Sequence, residues 1–166
     1  FTGNTVVLGG AATTLTITVT NPNSVELPNF NITDAFPQLG GQSIIKVANP
    51  VVSTSTCSGA GAPATFTPVA DAVSVSATGG TVAANGSCTM TVAVVANQTN
   101  GSYDTGLQTN SINRTTQFSN GLGIVPSNDA TAQIRARSPL SIGKTFANSF
   151  LANGQSGSFT ITLTNS

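Results

Sequence analysis

The segment Thr13-Thr-Leu-Thr-Ile-Thr-Val-Thr-Asn21 decides the fold class of this chain. Its apolar residues alternate with threonine at a period of two, which is typical of a strand with one buried and one exposed face. β-Branched threonine suits a pleated strand with one solvent-exposed face better than it suits a helix. Similar runs, separated by Gly, Pro, Asn and Ser clusters, occur at 43–47, 51–55, 73–77, 89–95 and 130–136. The sequence therefore predicts an all-β sandwich or barrel.

The composition indicates a neutral surface. Of the 166 residues, 39% are apolar, which is adequate for one core, but only 6% are charged, against roughly 25% in ordinary soluble domains. Five basic residues balance five acidic ones, so the chain lacks the clustered positive charge that nucleic acid or an anionic membrane surface requires. No apolar run approaches the ~20 residues of a membrane-spanning helix. We therefore expect neither nucleic acid binding nor membrane insertion.

The end of the chain repeats its beginning. The stretch from Gly10 to Asn21 recurs 144 residues later, between Gly154 and Asn165, and Phe1 aligns with Phe146 if one residue is gapped. An internal duplication of this kind is typical of a tandem array. We therefore expect one complete repeat at residues 1–137, a junction at 138–145, and the first strands of a second repeat at 146–166.

The second copy is incomplete by itself. Its apolar side chains Phe159, Ile161 and Leu163 need a covering partner, because an isolated strand pair is only marginally stable in water. Either the polypeptide continues, or residues 158–164 add as a strand to a neighbouring molecule. A continuing polypeptide is the simpler explanation, since a donated strand would compete for a position that residues 14–20 already occupy in every neighbour.

Several short motifs resemble the conserved repeat domain of bacterial surface proteins known as domain of unknown function eleven. They are Thr20-Asn-Pro22, Ile32-Thr-Asp-Ala-Phe-Pro37, Gly86-Ser-Cys-Thr-Met-Thr-Val92 and Ser141-Ile-Gly-Lys-Thr-Phe146. The resemblance covers essentially the whole chain, although Phe36 stands where that family usually has leucine. It implies an immunoglobulin-like antiparallel β-sandwich with a C-terminal extension that begins a second repeat. It also implies a secreted bacterial surface stalk, adhesin or extracellular fibre whose partners are other copies of the same repeat, arranged head to tail.

The two cysteines, Cys57 and Cys88, are separated by 31 positions. A disulfide closing a loop of that length would stabilise the fold by ~3–4 kcal/mol in the chain-entropy model. The alternatives are two buried thiols or a metal site, and metal is disfavoured because two sulfur ligands without a histidine do not complete a tetrahedral set. We expect the disulfide, and with it an oxidising, extracellular location.

Catalysis is not expected, because the chain contains no histidine, the commonest general base. Glu26 and Asp34 are near enough in sequence for a carboxylate pair, but solvated turn residues are the more ordinary interpretation. No cofactor or metal ion is predicted. With so few titrating groups, we also expect stability to depend weakly on pH.

A covalent cross-link is a further hypothesis. In sandwich repeats of surface fibres, a strand lysine can form an internal amide with a neighbouring asparagine or aspartate. Here the lysine would be Lys144 with Asn165, and a matching lysine before Phe1 would have Asn21 and Asp34 as partners. The alternative is a solvated lysine at a domain junction.

Two expectations concern the surface. Asn-X-Ser/Thr sequons begin at Asn31, Asn85, Asn97, Asn100 and Asn113, so a surface glycan is one alternative partner, although in a bacterium most of these sequons would be bare. The rival to a structural role is a ligand-binding adhesin module that would use loops at 59–63 and 97–102 as its contact surface. The scarcity of tyrosine and the absence of tryptophan argue against that rival.

Overall fold

The computed structural model describes residues 1–57, 65–97, 104–148 and 150–165. These residues form strands, bridges, turns and bends, and none of them is helical. In chain order the strands are β1 (Thr5–Val7), β2 (Thr13–Asn21), β3 (Leu27–Ala35), β4 (Gln38–Leu39), β5 (Gln42–Ser43), β6 (Ile45–Val47), β7 (Ser53–Ser55), β8 (Thr65–Phe66), β9 (Ser74–Val82), β10 (Gly86–Ala96), β11 (Gln108–Ile112), β12 (Phe118–Ser119), β13 (Ala130–Arg137), β14 (Ser141–Phe146) and β15 (Phe159–Thr164).

The strands of residues 1–137 pack around one core as a β-sandwich. In one sheet β10 pairs antiparallel with β2 on one side and with β6 and β7 on the other. A second sheet has the order β12-β3-β9-β8, and a third has the order β1-β13-β11, in which β1 runs parallel to β13. Strands β3 and β11 lie in contact, so these two sheets adjoin. The all-β prediction is confirmed.

The longest pairing joins β2 and β10, from Asn21 opposite Gly86 to Thr13 opposite Val94. Along β2 the apolar residues point into the core and the threonines between them point outward, as the alternation predicted. The buried apolar core also includes the large side chains Phe30, Phe36, Ile44, Ile45, Met90 and Ile134. Burial of these side chains is the main favourable contribution to folding.

A glycine in β9 is required by the packing of the second sheet. Phe30 is fully buried in β3 and pairs with Gly80 of β9. Its ring fills the space where a Cβ atom of Gly80 would lie, so any side chain at position 80 collides with the aromatic ring. The β3–β9 register shifts on both sides of Phe30, and the preceding Asn29 has a φ of 51°. This irregularity carries the ring over the glycine.

The outer face of β10 is lined by threonine hydroxyls. The Oγ1 atoms of Thr54 and Thr91 lie 2.7 Å apart, and those of Thr56 and Thr89 lie 3.2 Å apart. Such cross-strand hydroxyl pairs stabilise a sheet without introducing charge. The neutral surface predicted from composition is built in this way on β7 and β10.

Strands β14 and β15 form a separate antiparallel hairpin, in which Ser141 lies opposite Thr164 and Phe146 lies opposite Phe159. Strand β13 ends at Arg137, so only residues 138–140 separate the sandwich from this hairpin. The expected junction at 138–145 is therefore mostly strand. The alignment of the two copies starts the second copy at Phe146, which matches Phe1. Residues corresponding to β14 would lie before Phe1, so the alignment could not include β14.

Candidate functional site

One face of the β14–β15 hairpin is apolar and exposed. Residues directly opposite each other on paired strands point to the same side, so three cross-strand pairs make up this face. Its apolar side chains are between 54% and 77% exposed, far more than a monomeric protein usually leaves uncovered in one place. The side chains of this surface, called the hairpin face below, are Ile142, Lys144, Phe146, Phe159, Ile161 and Leu163.

Lys144 lies over the aromatic part of the hairpin face. Its Nζ atom is 4.4 Å from the ring centroid of Phe159 and 5.0 Å from that of Phe146, and the two rings lie 6.0 Å apart. The ammonium group is therefore held by cation–π attraction at the surface. Among the described residues it has no carboxylate within ion-pair distance.

The hairpin face corresponds to a part of the sandwich that is buried. The repeated sequence aligns Phe159, Ile161 and Leu163 with Leu15, Ile17 and Val19 of β2. The β2 residues are 3%, 8% and 7% exposed, whereas their copies are 54%, 58% and 68% exposed. The same pattern of side chains is therefore a core strand in the first copy and an uncovered strand in the second.

Backbone hydrogen bonds repeat together with the sequence. The N–H of Thr2 donates to the carbonyl of Thr14 at 3.0 Å, and the N–H of Ala147 donates to the carbonyl of Ser158 at 2.9 Å. The two bonds join equivalent positions of the aligned copies once the single gap is counted. The hairpin therefore reproduces the way in which the N-terminal segment meets β2.

The turn before each of these strands repeats as well. The N–H of Gly10 donates to the carbonyl of Val7 at 2.9 Å, and the N–H of Gln155 donates to the carbonyl of Ala152 at 3.0 Å. Each turn contains a glycine with positive φ, at Gly9 and at Gly154. The two turns match at an offset of 145 (155 − 10), as Phe1 and Phe146 do, so the structure places the single gap between the turn and the strand. Two matching local structures make chance similarity between two threonine-rich strands a poor explanation.

The structure does not bring together the residues of the predicted amide cross-link. Lys144 lies opposite Ile161, whereas Asn165 follows Thr164, whose partner is Ser141. These positions are about four residues apart along the ladder, or ~13 Å. No amide between Lys144 and Asn165 fits that register.

The side chain of Asn21 already makes several hydrogen bonds within the sandwich. Its buried Nδ2 donates to the carbonyls of Val25, Val82 and Ala83 at 2.8–3.2 Å, and its Oδ1 accepts from the N–H of Asn23 at 3.2 Å. The side chain therefore holds the turn after β2 against the end of β9. Its pairing with a lysine before Phe1 stays a prediction.

Asp34 is buried, but beside Asn110 rather than Asn21. The Asn110 Nδ2 donates to the Asp34 Oδ2 at 2.9 Å, and the two residues are 4% and 0% exposed. The Asp34 Oδ1 and the Asn110 Oδ1 are both buried acceptors without a hydrogen-bond donor among the described residues. Burial raises the pKa of Asp34 to about 6, and the hydrogen bond from Asn110 opposes this rise. Buried polar atoms without partners are uncommon in folded proteins.

Glu26 and Asp34 do not form a carboxylate pair in the structure. Glu26 is exposed in the turn before β3, as expected of a solvated turn residue, but the same expectation is wrong for Asp34, which lies in β3 and is buried. Within the ranges that the structure describes, no group of three or more His, Cys, Asp or Glu residues could hold a metal ion.

Cys57 and Cys88 form a disulfide with a Cα–Cα distance of 4.8 Å. Cys88 lies in β10 opposite Val19, and Cys57 follows β7 on the other side of β10. Both cysteines are buried in the core cluster. The bridge therefore ties the segment after β7 to the central strand of its sheet.

The predicted ligand-binding loops at 59–63 and 97–102 lie outside the described residues except for Asn97. The same holds for the sequon at Asn100. Among the other sequon asparagines, Asn31 and Asn85 are exposed, and Asn97 and Asn113 are half-buried. The part of the chain that the structure describes contains no helix long and apolar enough to cross a bilayer.

A family model described as a domain of unknown function (DUF7933) matches residues 1–134. The chain belongs to this family. The matched region ends within β13, before the β14–β15 hairpin. This family is not the one that the sequence motifs resemble, so the relation to bacterial surface repeats is a matter for the proposal below. No curated protein matches the chain.

Proposed function

We propose that this chain is a structural, non-catalytic repeat of a secreted bacterial surface stalk or extracellular fibre, assembled head to tail within one polypeptide. The observation that carries the proposal is the hairpin face. It presents, uncovered, the pattern that Leu15, Ile17 and Val19 bury in the complete sandwich. Repeat architectures bury such faces by adding the next unit along the chain.

Continuation of the polypeptide accounts for the hairpin better than donation of β15 to another molecule. The position in the sandwich that suits β15 is that of β2, and β2 holds it through nine residue pairs with β10. A donated β15 would have to displace a strand of the same type, with little net gain in burial. A pilus-like subunit joined through residues 158–164 is therefore the second candidate.

The surface fits passive extracellular material. Low charge and outward threonines reduce electrostatic repulsion between neighbouring copies, so side-by-side contacts carry little electrostatic penalty. The disulfide is compatible with a secreted protein. We include an immunoglobulin-like arrangement in the proposal because β2 and β10 share one sheet while β3 lies in another, as expected for that sandwich class.

The proposal is tested by completing the second copy. In a longer chain, residues 1–165 would be followed by a second copy of residues 22–137, so that β15 takes the position of β2 in a new sandwich. We expect the amides of β15 to gain hydrogen-exchange protection and small-angle scattering to show a two-domain rod.

A matched pair of substitutions gives the control. Ile161→Asp should unfold the second sandwich of this longer chain and leave the first intact, because Ile161 would then be a core residue. Thr162→Asp, on the outer face of the same strand, should leave both folded. If β15 stays unprotected in the longer chain, the second copy is not a module and the proposal is wrong.

A ligand-binding adhesin module stays a prediction. Images of native material distinguish the possibilities, since covalent beads on one chain, separable subunits and a single terminal domain differ in appearance and in resistance to denaturant.

A further inference from the structure

Strand β2 has a free edge. It pairs with β10 on one side, and no strand among the described residues pairs with the other side. Because Thr14 exchanges hydrogen bonds with Thr2 on that other side, the backbone groups of Thr16, Thr18 and Thr20 point the same way. Three N–H and three carbonyl groups are therefore available for a further strand.

A groove of about 510 Å³ runs along this free edge. Its walls are mostly apolar and come from β2, β3, β11, β12 and the segment before β13. The lining residues on which the argument depends are Ile17, Val19, Ile32, Ile112, Phe118 and Ile124. An open edge beside an apolar groove is the usual receptor for an added β-strand.

The second copy shows which strand fits the edge. Strand β15 corresponds to β2, and the neighbour of β15 on the equivalent side is β14. Transferred to the first copy, Phe1 takes the place of Phe146, and the N–H of Thr2 already makes the bond that the N–H of Ala147 makes in the hairpin. A strand that enters before Phe1 would therefore run antiparallel to β2, starting beside Thr20 and ending beside Leu15.

Charge complementarity identifies the sequence of that strand. A β14-type strand on this edge places its lysine opposite Ile17, on the side that faces the core. Asp71 pairs with Lys46 at 2.7 Å, whereas Asp34 has no cation within ion-pair distance among the described residues. Asp34 and Asn110 are buried and do not line the groove themselves, but Asp34 follows Ile32, a groove residue, by two positions, or ~7 Å along the strand.

We propose that the groove along β2 is the binding site for the β14 strand of a preceding copy, and that the lysine of this strand donates to the orphan oxygens of Asp34 and Asn110. The inference rests on the proposed tandem arrangement and names its intermodule contact. The lysine stem would lie on Ile17 while its ammonium group supplies the donors that both buried oxygens lack.

The probe is a synthetic peptide of residues 139–145, added to the full chain, and it stops before the positions that Phe1 and Thr2 already occupy on the edge. We expect hydrogen exchange of the Thr16, Thr18 and Thr20 amides to slow by at least about tenfold at saturation. The amides of Ile17 and Val19, which face β10, should not change. For a linked version, residues 138–145 are placed directly before Phe1, which makes the strand intramolecular and removes the need for high affinity.

Peptide variants distinguish strand addition from non-specific hydrophobic binding, and they leave the folding of the receptor unchanged. The N–H groups of Gly143 and Thr145 face the acceptor strand in the hairpin, and that of Lys144 faces away. N-methylation at Gly143 should therefore abolish protection, whereas N-methylation at Lys144 should be tolerated. A Lys144→Leu peptide should bind more weakly to the wild-type chain, and Asp34→Asn in the receptor should remove this difference.

Three outcomes overturn the inference: neither the peptide nor the linked strand protects the three threonine amides, N-methylation at the two positions has equal effects, or the preference for lysine survives Asp34→Asn. These results are separate from the two-copy test above. The groove could fail to bind β14 while β15 still forms the edge of a second sandwich.

Discussion

The buried carboxyl of Asp34 makes stability depend on pH over a defined window. In the folded protein, burial raises the pKa of Asp34 from 3.8 to about 6. The folded state therefore holds the proton more tightly than the unfolded state, so this contribution to stability is fully present below about pH 4 and is lost as the pH rises through 6. Because the pKa of Asp34 differs by about two between the folded and unfolded states, the full loss in the free energy of unfolding is about 3 kcal/mol.

The perturbation is Asp34→Asn, which keeps the shape of the side chain and removes the titration. The new amide also provides a donor for the Asn110 Oδ1, which lacks one. We expect the variant to be more stable than the wild type at pH 7 and to lose that advantage by about pH 4. Urea unfolding at half-unit pH steps, followed by far-ultraviolet circular dichroism, gives the free-energy difference directly.

Asp71→Asn is the matched control. The hydrogen bond from Lys46 lowers the pKa of Asp71, so its contribution is present above about pH 4 and is lost as the pH falls. Its effect therefore has the opposite sign and appears below the window of Asp34. If the wild-type and Asp34→Asn curves run parallel from pH 4 to 7, the assignment of Asp34 as a buried, unpaired acid is wrong. In the chain with the linked β14 strand, the wild-type fall should disappear.

Three shorter predictions concern the sandwich and the hairpin. Replacing both cysteines of the disulfide by serine should lower the free energy of unfolding by ~3–4 kcal/mol, as measured by urea titration. Gly80→Ala should cost about 1–3 kcal/mol because of the Phe30 ring, and in a double-mutant cycle Phe30→Leu should relieve part of that cost. Ile17→Ala should cost about 2–5 kcal/mol, whereas Ile161→Ala, at the equivalent exposed position, should stay within about 0.5 kcal/mol.

The sequence predicted the parts of the fold that depend on local pattern. Thr13–Asn21 has a strict period of two, and the structure has one strand with those bounds. The run at 73–77 is only the first half of β9, because Gly79 and Gly80 interrupt the apolar pattern. Glycine weakens a strand prediction, but here it is kept because Phe30 lies against it, and that contact joins residues 50 positions apart.

The site was less accessible from the sequence. Phe159, Ile161 and Leu163 of the hairpin face could be found because they repeat residues of β2, whereas Lys144 was singled out only through the motif at 141–146. Asn110 could not, since polar residues dominate its neighbourhood and its burial depends on the contact between β11 and β3. The only local signal was its spacing of two from Ile112. The expectation of weak pH dependence assumed that every carboxyl was solvated, and the burial of Asp34 predicts instead that stability changes with pH below about 6.

The length of the junction bears on the mechanics of the proposed array. Strand β13 closes one sandwich at Arg137, and β14, as the first strand of the next, starts at Ser141. Only three residues, at most ~11 Å of extended chain, then connect the two units, and Pro139 fixes one backbone angle of that link. So short a connection allows little relative rotation, in contrast to flexible linkers, whose reach grows with length. An array built in this way would be stiff because β14 belongs to the next sandwich, and freeing β14 from its groove would lengthen and loosen every junction.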